Sequence, residues 1–284
     1  MLYLPQSSSR FDTGREAEVL LVAELAGGRT VLRRQRVGYP FHITRPFQLD
    51  RSKPELATLY LQSTSGGLYA ADRLALDLVV GAGAALNLTT QASTVVHDGR
   101  GDGSTMRQSV TVEHSAFCAF ISDPYVLFPG ASLHIETTAT VAPGAILILA
   151  DGFAAHDPHR RGGTFARFST DTSIIGLDGK PVMADRGSIG GGDLSAGCGA
   201  PGGMAAAGSV LMIAPPDRLP DIAEIEAAAD DCGCLAGVST APNGAGLAMR
   251  LLAPDGGALT RGIEAAFHVA ARAALGVELA PRRK

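Results

Sequence analysis

The sequence predicts a mainly β protein with two helices in its C-terminal third. Turn-forming residues recur about every 8–12 positions, which is typical of many short strands. Glycine is frequent, at 35 of 284 residues, as expected where tight turns and close backbone approaches are common. Between the turns, apolar residues alternate with a period of two, which indicates strands. The even spacing fits a sandwich or a stack of coils in a solenoid, and without a strict repeat the pattern leaves both open.

Several strands are predicted in the first third of the chain. They cover Glu16–Leu25, Arg29–Val37, Phe41–Phe47, Leu74–Val80 and Ala84–Gln91. The last two flank Gly81-Ala82-Gly83, and this short turn predicts that they pair as a hairpin. The surrounding stretch, from Tyr60 to His97, also carries clusters of Ser, Thr, Gly, Asp and Gln that no catalytic motif explains.

The middle of the chain continues the pattern. Strands are predicted over Met106–Glu113, Phe117–Ile121, Leu133–Val141, Ala145–Ala150, Thr164–Thr170, Ser173–Leu177 and Pro181–Arg186. In the first of these, Met106, Gln108, Val110 and Val112 share one face. Turns containing Pro or Gly separate most of these strands, and Asp178-Gly179 is a hairpin signal between the last two.

A Gly/Ala-rich segment over 187–208, which contains Cys198, predicts a flexible loop. Beyond it, helices are predicted over Leu219–Ala229 and Thr260–Leu275, and strands over Leu235–Ser239 and Leu247–Leu252. Acidic residues near the start of the first helix suit the helix dipole. Thr260 is placed as an N-cap, and Gly276 ends the second helix.

Composition argues against two classes of partner. The net charge is −4 and the pI about 6.0, whereas a nucleic-acid-binding protein usually has a basic face. The N-terminal residues do not resemble a signal peptide, and no apolar run approaches the roughly 18 residues of a membrane span. With four cysteines, these features predict a cytoplasmic protein with reduced thiols, no nucleic-acid partner and no membrane association. Charged residues are only 18%, so apolar surface that requires a protein partner is expected.

No motif for covalent or phosphoryl chemistry is complete. The nearest match to a phosphate-binding loop, at 176–181, has the wrong spacing and ends in Pro181. No serine lies in a G-x-S-x-G elbow, and H-E-x-x-H is absent. The chain has no Trp and only 5% aromatic residues, which disfavours a solenoid enzyme acting on polysaccharide. The sequence therefore predicts no catalytic residues.

Small polar residues are candidates for an interface or a channel. Ser65-Gly66-Gly67 and Thr89-Thr90-Gln91 have no nucleophile partner in the sequence, so docking or transit fits them better than covalent catalysis. Asp72-Arg73 either forms an ion pair that holds its turn or contacts a partner, and the sequence leaves both interpretations open.

Three sets of residues are weak metal candidates: His97, the pair His156 and His159, and the pair Cys232 and Cys234. Asp151 and Asp157 lie near the histidine pair, which suits Ni²⁺ or Zn²⁺, although such a cluster is more often an exposed polar loop. The cysteine pair lacks the second pair of a zinc site and is more typical of a plain turn. His97 is more often a hydrogen-bonded histidine at a strand end. The His and Cys pairs define an alternative function, a free-standing nickel-binding or storage protein.

Four motifs follow one another along the chain: Arg45-Pro46-Phe47, residues 60–68 with Asp72-Arg73-Leu74, Thr89-Thr90-Gln91-Ala92 with Thr94, and Asp123-Pro124 with residues 127–131. In order and spacing they resemble those of the urease accessory protein UreD family, called UreH in some organisms. The resemblance covers residues 15–187 well and is weaker over the late helices. The chain departs from the family pattern at Val95-Val96-His97, at Asp151-Gly152, at His156–His159 and at its C-terminal end.

The resemblance implies a single domain over residues 1–284, folded as a twisted, solenoid-like β-structure with two helices. It also implies a non-enzymatic chaperone that joins UreF and the GTPase UreG on apo-urease, where GTP is hydrolysed on UreG and nickel is inserted. Such a protein bridges to urease and offers a path for Ni²⁺ as transient cargo, without a tightly bound cofactor. Weak oxygen and nitrogen ligands suit a path because a strong site would trap the ion. The candidate partner or path residues are Ser65, Gly66, Gly67, Asp72, Arg73, Thr89, Thr90, Gln91 and Asp123.

Overall fold

Between residues 56 and 176, consecutive long strands alternate between two facing sheets, so this part of the chain winds as a β-solenoid. The computed structural model describes residues 14–194 and 202–282. Within these ranges the strands are β1 (Glu16–Ala26), β2 (Arg29–Val37), β3 (Phe41–Ile43), β4 (Leu56–Ser63), β5 (Arg73–Val80), β6 (Ala85–Thr90), β7 (Val95–Val96), β8 (Ser104–Val112), β9 (Phe117–Ile121), β10 (Tyr125–Leu127), β11 (Ser132–Val141), β12 (Ile146–Ala155), β13 (Arg167–Gly176), β14 (Pro181–Ile189), β15 (Ala206–Ile213), β16 (Leu235–Thr240) and β17 (Gly246–Ala253). The α-helices are α1 (Ile222–Asp230) and α2 (Gly256–Leu275).

The seven-stranded sheet has the order β14-β13-β11-β8-β5-β1-β2. The ten-stranded sheet has the order β16-β17-β15-β12-β9-β6-β4-β3, and the short strands β10 and β7 extend it beside the end of β12. Strands run parallel from β1 to β13 in the first sheet and from β4 to β12 in the second. Parallel neighbours need crossover connections, and here each crossover runs through the opposite sheet. The topology therefore selects the solenoid over the sandwich.

Alternation along each strand gives both sheets a buried inner face. In β5, Leu74, Leu76 and Leu78 are buried between the sheets, whereas Asp77 is exposed on the outer face. The predicted common face of Met106, Gln108, Val110 and Val112 is confirmed in β8, where all four are buried. The middle of the ten-stranded sheet is buried on both faces because α2 packs on the outside of β12, β15 and β17.

Aspartates cap both α-helices. Asp221 caps α1 and Asp255 caps α2, each by accepting hydrogen bonds from backbone N–H groups of the first turn. The prediction of Thr260 as the N-cap is wrong: it lies one turn inside α2 and its hydroxyl donates to Gly256 O at 2.8 Å. Gly276, with a φ of 72°, ends α2 as predicted. Neither helix is long and apolar enough to cross a bilayer.

The predicted hairpin across Gly81-Ala82-Gly83 is wrong. Its two strands, β5 and β6, belong to different sheets, and the turn carries the chain from one sheet to the other. Leu78 of β5 and Leu88 of β6 are both fully buried in the core that the two sheets enclose. A turn signal fixes a reversal of the chain locally, but the pairing partner of each strand is chosen by distant strands of the same sheet.

Other predicted strands differ in length. Thr164–Thr170 and Ser173–Leu177 form one strand, β13, and the strand predicted to end at Ala150 continues through Asp151 to Ala155. The strand predicted over Phe41–Phe47 ends at Ile43. The four strands β4, β7, β10 and β15 have no predicted counterpart.

The Gly/Ala-rich segment over 187–208 begins and ends in sheet structure. Residues 187–189 complete β14, and residues 206–208 begin β15. Its centre, residues 195–201 with Cys198, lies outside the described residues. The two strands on its flanks both line the cavity described below.

Candidate functional site

Asp72 anchors the loop between β4 and β5, and its carboxylate is almost fully buried. Oδ1 accepts hydrogen bonds from Arg15 Nε at 3.1 Å and from Arg15 N at 2.9 Å. Oδ2 accepts from Arg15 Nη2 and, at 2.8 Å, from Tyr69 N. Burial alone raises the pKa of Asp72, but the hydrogen bonds from Arg15 and Tyr69 outweigh it and hold the pKa below its ordinary value. The carboxylate is charged and bonded on both oxygens.

The suggested ion pair between Asp72 and Arg73 is not formed. Arg15 is the partner of Asp72, whereas Arg73 begins β5 on the solvent-exposed face and lies 3.6 Å from Glu16 Oε1. Adjacent residues of an extended chain point in opposite directions, so the two side chains separate. The partner of Asp72 therefore comes from a distant part of the sequence.

Ser65, Gly66 and Gly67 build the same loop from within. Gly67 O accepts from Arg15 Nη2 at 2.7 Å and from Ser65 Oγ at 3.0 Å. Gly67 has a φ of 133°, and an added Cβ would lie 2.3 Å from Val95 O. Only glycine fits there without a shift of backbone, so the glycine serves the loop's geometry.

An aromatic row, formed by Arg15, Tyr69, His97, Phe128 and His156, lies beside this loop. The Arg15 guanidinium sits 5.1 Å from the centre of the Tyr69 ring, which stacks on His97 at 4.5 Å. His97 meets the edge of Phe128 at 5.4 Å, and Phe128 lies 5.7 Å from His156. His97 Nε2 also lies 3.0 Å from Gly66 O, to which it donates. The position of His97 is therefore fixed by its contacts with the Tyr69 and Phe128 rings and by its hydrogen bond to a backbone carbonyl group.

Thr89 and Thr90 end β6 and point to opposite faces of the ten-stranded sheet. On the outer face, the Thr89 hydroxyl donates to Ile121 O at 2.8 Å and accepts from Arg282. On the inner face, Thr90 Oγ1 accepts from Asp123 N at 2.7 Å and lines a small cavity. Of the two, only Thr90 faces the interior of the solenoid.

The C-terminal segment covers the outer face near Asp123. Arg282, whose side chain is 3% exposed, places Nη2 3.2 Å from Asp123 Oδ1 and 2.5 Å from Glu264 Oε1. Ala280 N donates to Asp50 at 2.5 Å and holds the segment down. Asp123 and Thr89 are therefore covered by the protein's own chain on this face.

Gln91 belongs to a chain of polar side chains at the rim of the solenoid. Its Oε1 accepts from Gln62 Nε2 at 2.8 Å, and Gln62 Oε1 lies 3.0 Å from His42 Nδ1. Gln62 also lines the small cavity that Thr90 reaches. This rim therefore borders the small cavity near the end of β4, just before the loop that Asp72 anchors.

The metal candidates are not brought together. His156 and His159 are exposed on the loop after β12, where Asp157 accepts backbone hydrogen bonds, including one from His159 N at 3.0 Å. Cys234 is buried and its thiol lies 3.4 Å from Ala258 O; burial raises its pKa. Among the residues with described positions, no three His, Cys, Asp or Glu side chains are placed to hold one metal ion.

A cavity of about 300 Å³ lies between the sheets at their C-terminal edge. Phe153, Phe168 and Ile189 contribute apolar walls, and the polar lining includes Asp151 and Arg250. Asp151 Oδ1 accepts from Ser209 Oγ at 2.8 Å. Burial raises the pKa of Asp151 to about 6, although the Ser209 hydroxyl and the positive charge of Arg250 work in the opposite direction.

Further polar groups continue from Asp151 across the solenoid interior. Asp151 and Ser209 also line a gap of about 10 Å³, together with Gln108, Thr137 and Thr172. Thr137 Oγ1 donates to Gln108 Oε1 at 3.0 Å. We call these five residues the interior polar row.

A third cavity, of about 40 Å³, lies beyond Phe120, which also lines the gap. Its polar lining includes Thr90, Ser122 and Tyr125. Burial raises the pKa of Tyr125 to about 12, and the negative charge of Asp151 contributes to the rise. Asp151 therefore lines the first two spaces, and its charge affects a residue that lines the third.

The interior polar row was missed by reading the sequence. Asp151 was assigned to a loop with His156, but it lies inside β12 and faces the core, whereas His156 is exposed beyond the end of that strand. The available signal was an aspartate at an inward position of the apolar run 146–155. Ser209 and Thr172 carry no such signal, because hydroxyl residues are common in any strand.

This arrangement suits weak binding of a cation. Hydroxyl and amide oxygens with a single carboxylate are ligands for hard or borderline ions, and they bind weakly when few are charged. With a pKa of about 6, Asp151 is mostly ionised at pH 7. Fold and site together define a parallel β-solenoid protein that carries a row of polar side chains in its interior.

Comparison with known sequences identifies the family. A family model described as UreD urease accessory protein matches residues 15–284. The chain is 56% identical to urease accessory protein UreD 3 of Bradyrhizobium sp. (strain ORS 278) and 58% identical to UreD 1 of Bradyrhizobium sp. (strain BTAi1 / ATCC BAA-1182), in each case over 99% of both chains. It is 44% identical to UreD 1 of Methylorubrum extorquens (strain PA1), over 95% of this chain and 92% of that relative. The chain belongs to the UreD family of urease accessory proteins.

Proposed function

We propose that this protein is a non-enzymatic urease chaperone of the cytoplasm. It acts with UreF-like and UreG-like partners on apo-urease, and it offers an internal path for Ni²⁺ on its way to the urease active site. GTP hydrolysis belongs to the UreG-like partner. The ion is transient cargo, so the protein needs no tightly bound cofactor.

The observation that carries the proposal is the interior polar row next to the 300 Å³ cavity. A cation that leaves water needs replacement oxygen ligands, and the row supplies them in the middle of an apolar core. One carboxylate, Asp151, attracts the ion without enclosing it. Among the candidates from the sequence, Thr90 lines the small cavity on the other side of Phe120, whereas Thr89 lies on the outer face under the C-terminal segment.

The loop that Asp72 anchors supports a docking role. Ser65, Gly66, Gly67 and Asp72 are hydrogen-bonded within the loop or to Arg15 and His97 beside it. Tyr69, in the same loop, is 44% exposed. Exposed aromatic side chains beside arginine are typical of binding hot spots. Tyr69 is therefore the residue proposed to contact a partner, and Asp72 holds it in place.

The alternative, a free-standing nickel store based on His156, His159, Cys232 and Cys234, has less support. The histidines lie on an exposed loop after β12, and Cys234 is buried against Ala258 beside α2. Tight storage requires several ligands around one ion, and the described positions provide no such group.

Urease activity in cells that lack this gene tests the proposal. We expect activity to be lost and to return when the gene is restored. Asp151→Asn should lower activation at least about tenfold, because an amide keeps the Ser209 hydrogen bond but removes the charge that attracts the ion. The matched control is Asp77→Asn, on the exposed outer face of β5, which should activate urease normally.

Normal urease activity without the gene would overturn the chaperone assignment. Normal activation by Asp151→Asn would instead remove the path from the proposal. Co-purification of the full chain with its UreF-like partner separates the two roles, since Asp151→Asn should still bind the partner and Tyr69→Ala should bind it less.

A further inference from the structure

Arg250 lies at the 300 Å³ cavity and links the two sheets there. It lies in β17 of the ten-stranded sheet, lines the cavity together with Asp151, and forms an ion pair with Asp185 Oδ1 of β14 in the other sheet. The Arg250 side chain is about half exposed, whereas that of Asp185 is 15% exposed. The ion pair therefore joins the two sheets where the cavity meets the surface.

Asp185 stands close to the interior polar row. In the antiparallel pairing of β13 with β14, it lies opposite Thr172, a member of the row. Met183, two residues before Asp185, is buried in the core between the sheets, so Asp185 shares the inward face of β14. One guanidinium thus lies among two inward carboxylates, those of Asp151 and Asp185.

The three charges act on one another. The positive charge of Arg250 lowers the pKa of Asp151, and the negative charge of Asp185 raises it. Both charged groups therefore interact with the Asp151 carboxylate. With Arg250 in place the group carries a net charge of −1, from one positive and two negative side chains. Without Arg250 the two negative charges would have no counter-charge beside them, so a divalent cation at Asp151 would bind more strongly than it does with Arg250 in place.

We infer that Arg250 sets the cation affinity of this cavity, as a tethered counter-ion that prevents Asp151 and Asp185 from trapping the cargo. This inference rests on the proposed function, in which Ni²⁺ must pass and not stay. Arg250 is a positioning and affinity-setting residue: it contacts Asp185 and acts on the ion through charge. A purely structural ion pair would hold the two sheets together with no effect on metal binding.

Titration of the purified full chain with NiCl₂ by calorimetry tests the inference. Arg250→Gln should bind Ni²⁺ at least about tenfold more tightly than the natural protein, because a positive charge next to the site is removed. Arg250→Lys keeps the charge and should stay near the natural affinity. Arg250→Gln combined with Asp185→Asn should lose the gain. The matched control is Arg107→Gln, which breaks the exposed pair with Glu136 on the outer face of the seven-stranded sheet.

Unchanged or weaker Ni²⁺ binding by folded Arg250→Gln would overturn the inference, as would an equal gain in Arg107→Gln. If Arg250→Gln does not fold, Asp185→Asn decides alone. That variant leaves Arg250 facing a single carboxylate, so its Ni²⁺ affinity should fall below the natural one, and an unchanged affinity contradicts the inference. If the Arg250 inference fails but Asp151→Asn still does not activate urease, the proposed function stands. Failure of the inference and failure of the proposed function can therefore be distinguished.

Discussion

Asp72 and Asp151 are both carboxylates placed among apolar strands, but their surroundings differ in two respects. Asp72 accepts hydrogen bonds from Arg15 and from the backbone on both oxygens, and its pKa is lowered. Asp151 has the Ser209 hydroxyl as its described donor, borders a cavity, and has a pKa raised to about 6. The surroundings of Asp72 stabilise its charged form, whereas the surroundings of Asp151 destabilise its charged form.

This difference separates a carboxylate that holds the chain in place from one that borders open space. A buried charge that is fully bonded fixes the chain around it, and here it fixes the loop carrying Tyr69. A buried charge with open space beside it remains available to a ligand. The sequence drew attention to Asp72 as a candidate site residue, whereas the proposed path for the ion runs past Asp151.

The largest expected effect comes from removing the structural charge. Asp72→Asn should lower the free energy of unfolding at pH 7 by about 3–5 kcal/mol, because Arg15 loses its partner. Since the pKa of Asp72 is lowered on folding, this stability is present above the ordinary Asp value of 3.8 and is lost as pH falls through the folded-state pKa. Urea unfolding at several pH values checks both statements.

Arg73→Gln is the control for that experiment. Arg73 is exposed and its pair with Glu16 is solvated, so the change should stay within about 0.5 kcal/mol. A loss of similar size in both variants would show that the structure has assigned the wrong partner to Asp72.

The next effect concerns the backbone of the same loop. Gly67→Ala should cost about 2–3 kcal/mol, because the new Cβ would meet Val95 O at a φ that disfavours other residues. Gly101→Ala, at a φ of 103° with no atom within 4 Å of the new Cβ, should cost only about 1 kcal/mol. Thermal unfolding of the two variants measures the difference, and equal costs would contradict a tightly built loop.

Replacing Asp151 should change the free energy of unfolding in the opposite direction. Asp151→Asn should raise the free energy of unfolding by about 2 kcal/mol at pH 7.5, because the raised pKa means that the charged form opposes folding. The pKa rises from 3.8 to about 6 on folding, so the gain should be complete above pH 6 and vanish below pH 4. A destabilised variant at pH 7.5, measured by urea unfolding, would place Asp151 with Asp72 as a structural residue.

The smallest expected effect is at the exposed histidines. Changing both His156→Ala and His159→Ala should leave urease activation in cells and Ni²⁺ binding by the full chain unchanged, because the two imidazoles lie on a loop outside the cavity. Calorimetry with NiCl₂ and a urease assay measure the two quantities. Tight Ni²⁺ binding that disappears in the double variant would favour the storage alternative.

Local patterns were enough for much of the fold. Period-two alternation located β1, β5, β8 and β11 within about two residues, since one face of each strand must meet a core. The two helices followed from their composition and from Gly276. The pattern could not show that β5 and β6 belong to different sheets, because a turn gives the direction of the chain and not its pairing partner.

By itself, the sequence determined the strand content, the two late helices and the resemblance to the UreD family. These properties depend on neighbouring residues or on the order of motifs, and the sequence contains both kinds of information. Only the tertiary structure decided which carboxylate is bonded and which faces a cavity. Arg15 with Asp72, Ser209 with Asp151 and Arg250 with Asp185 are each separated by more than fifty residues. Which residues so far apart in sequence come into contact is decided only when the strands pair into sheets.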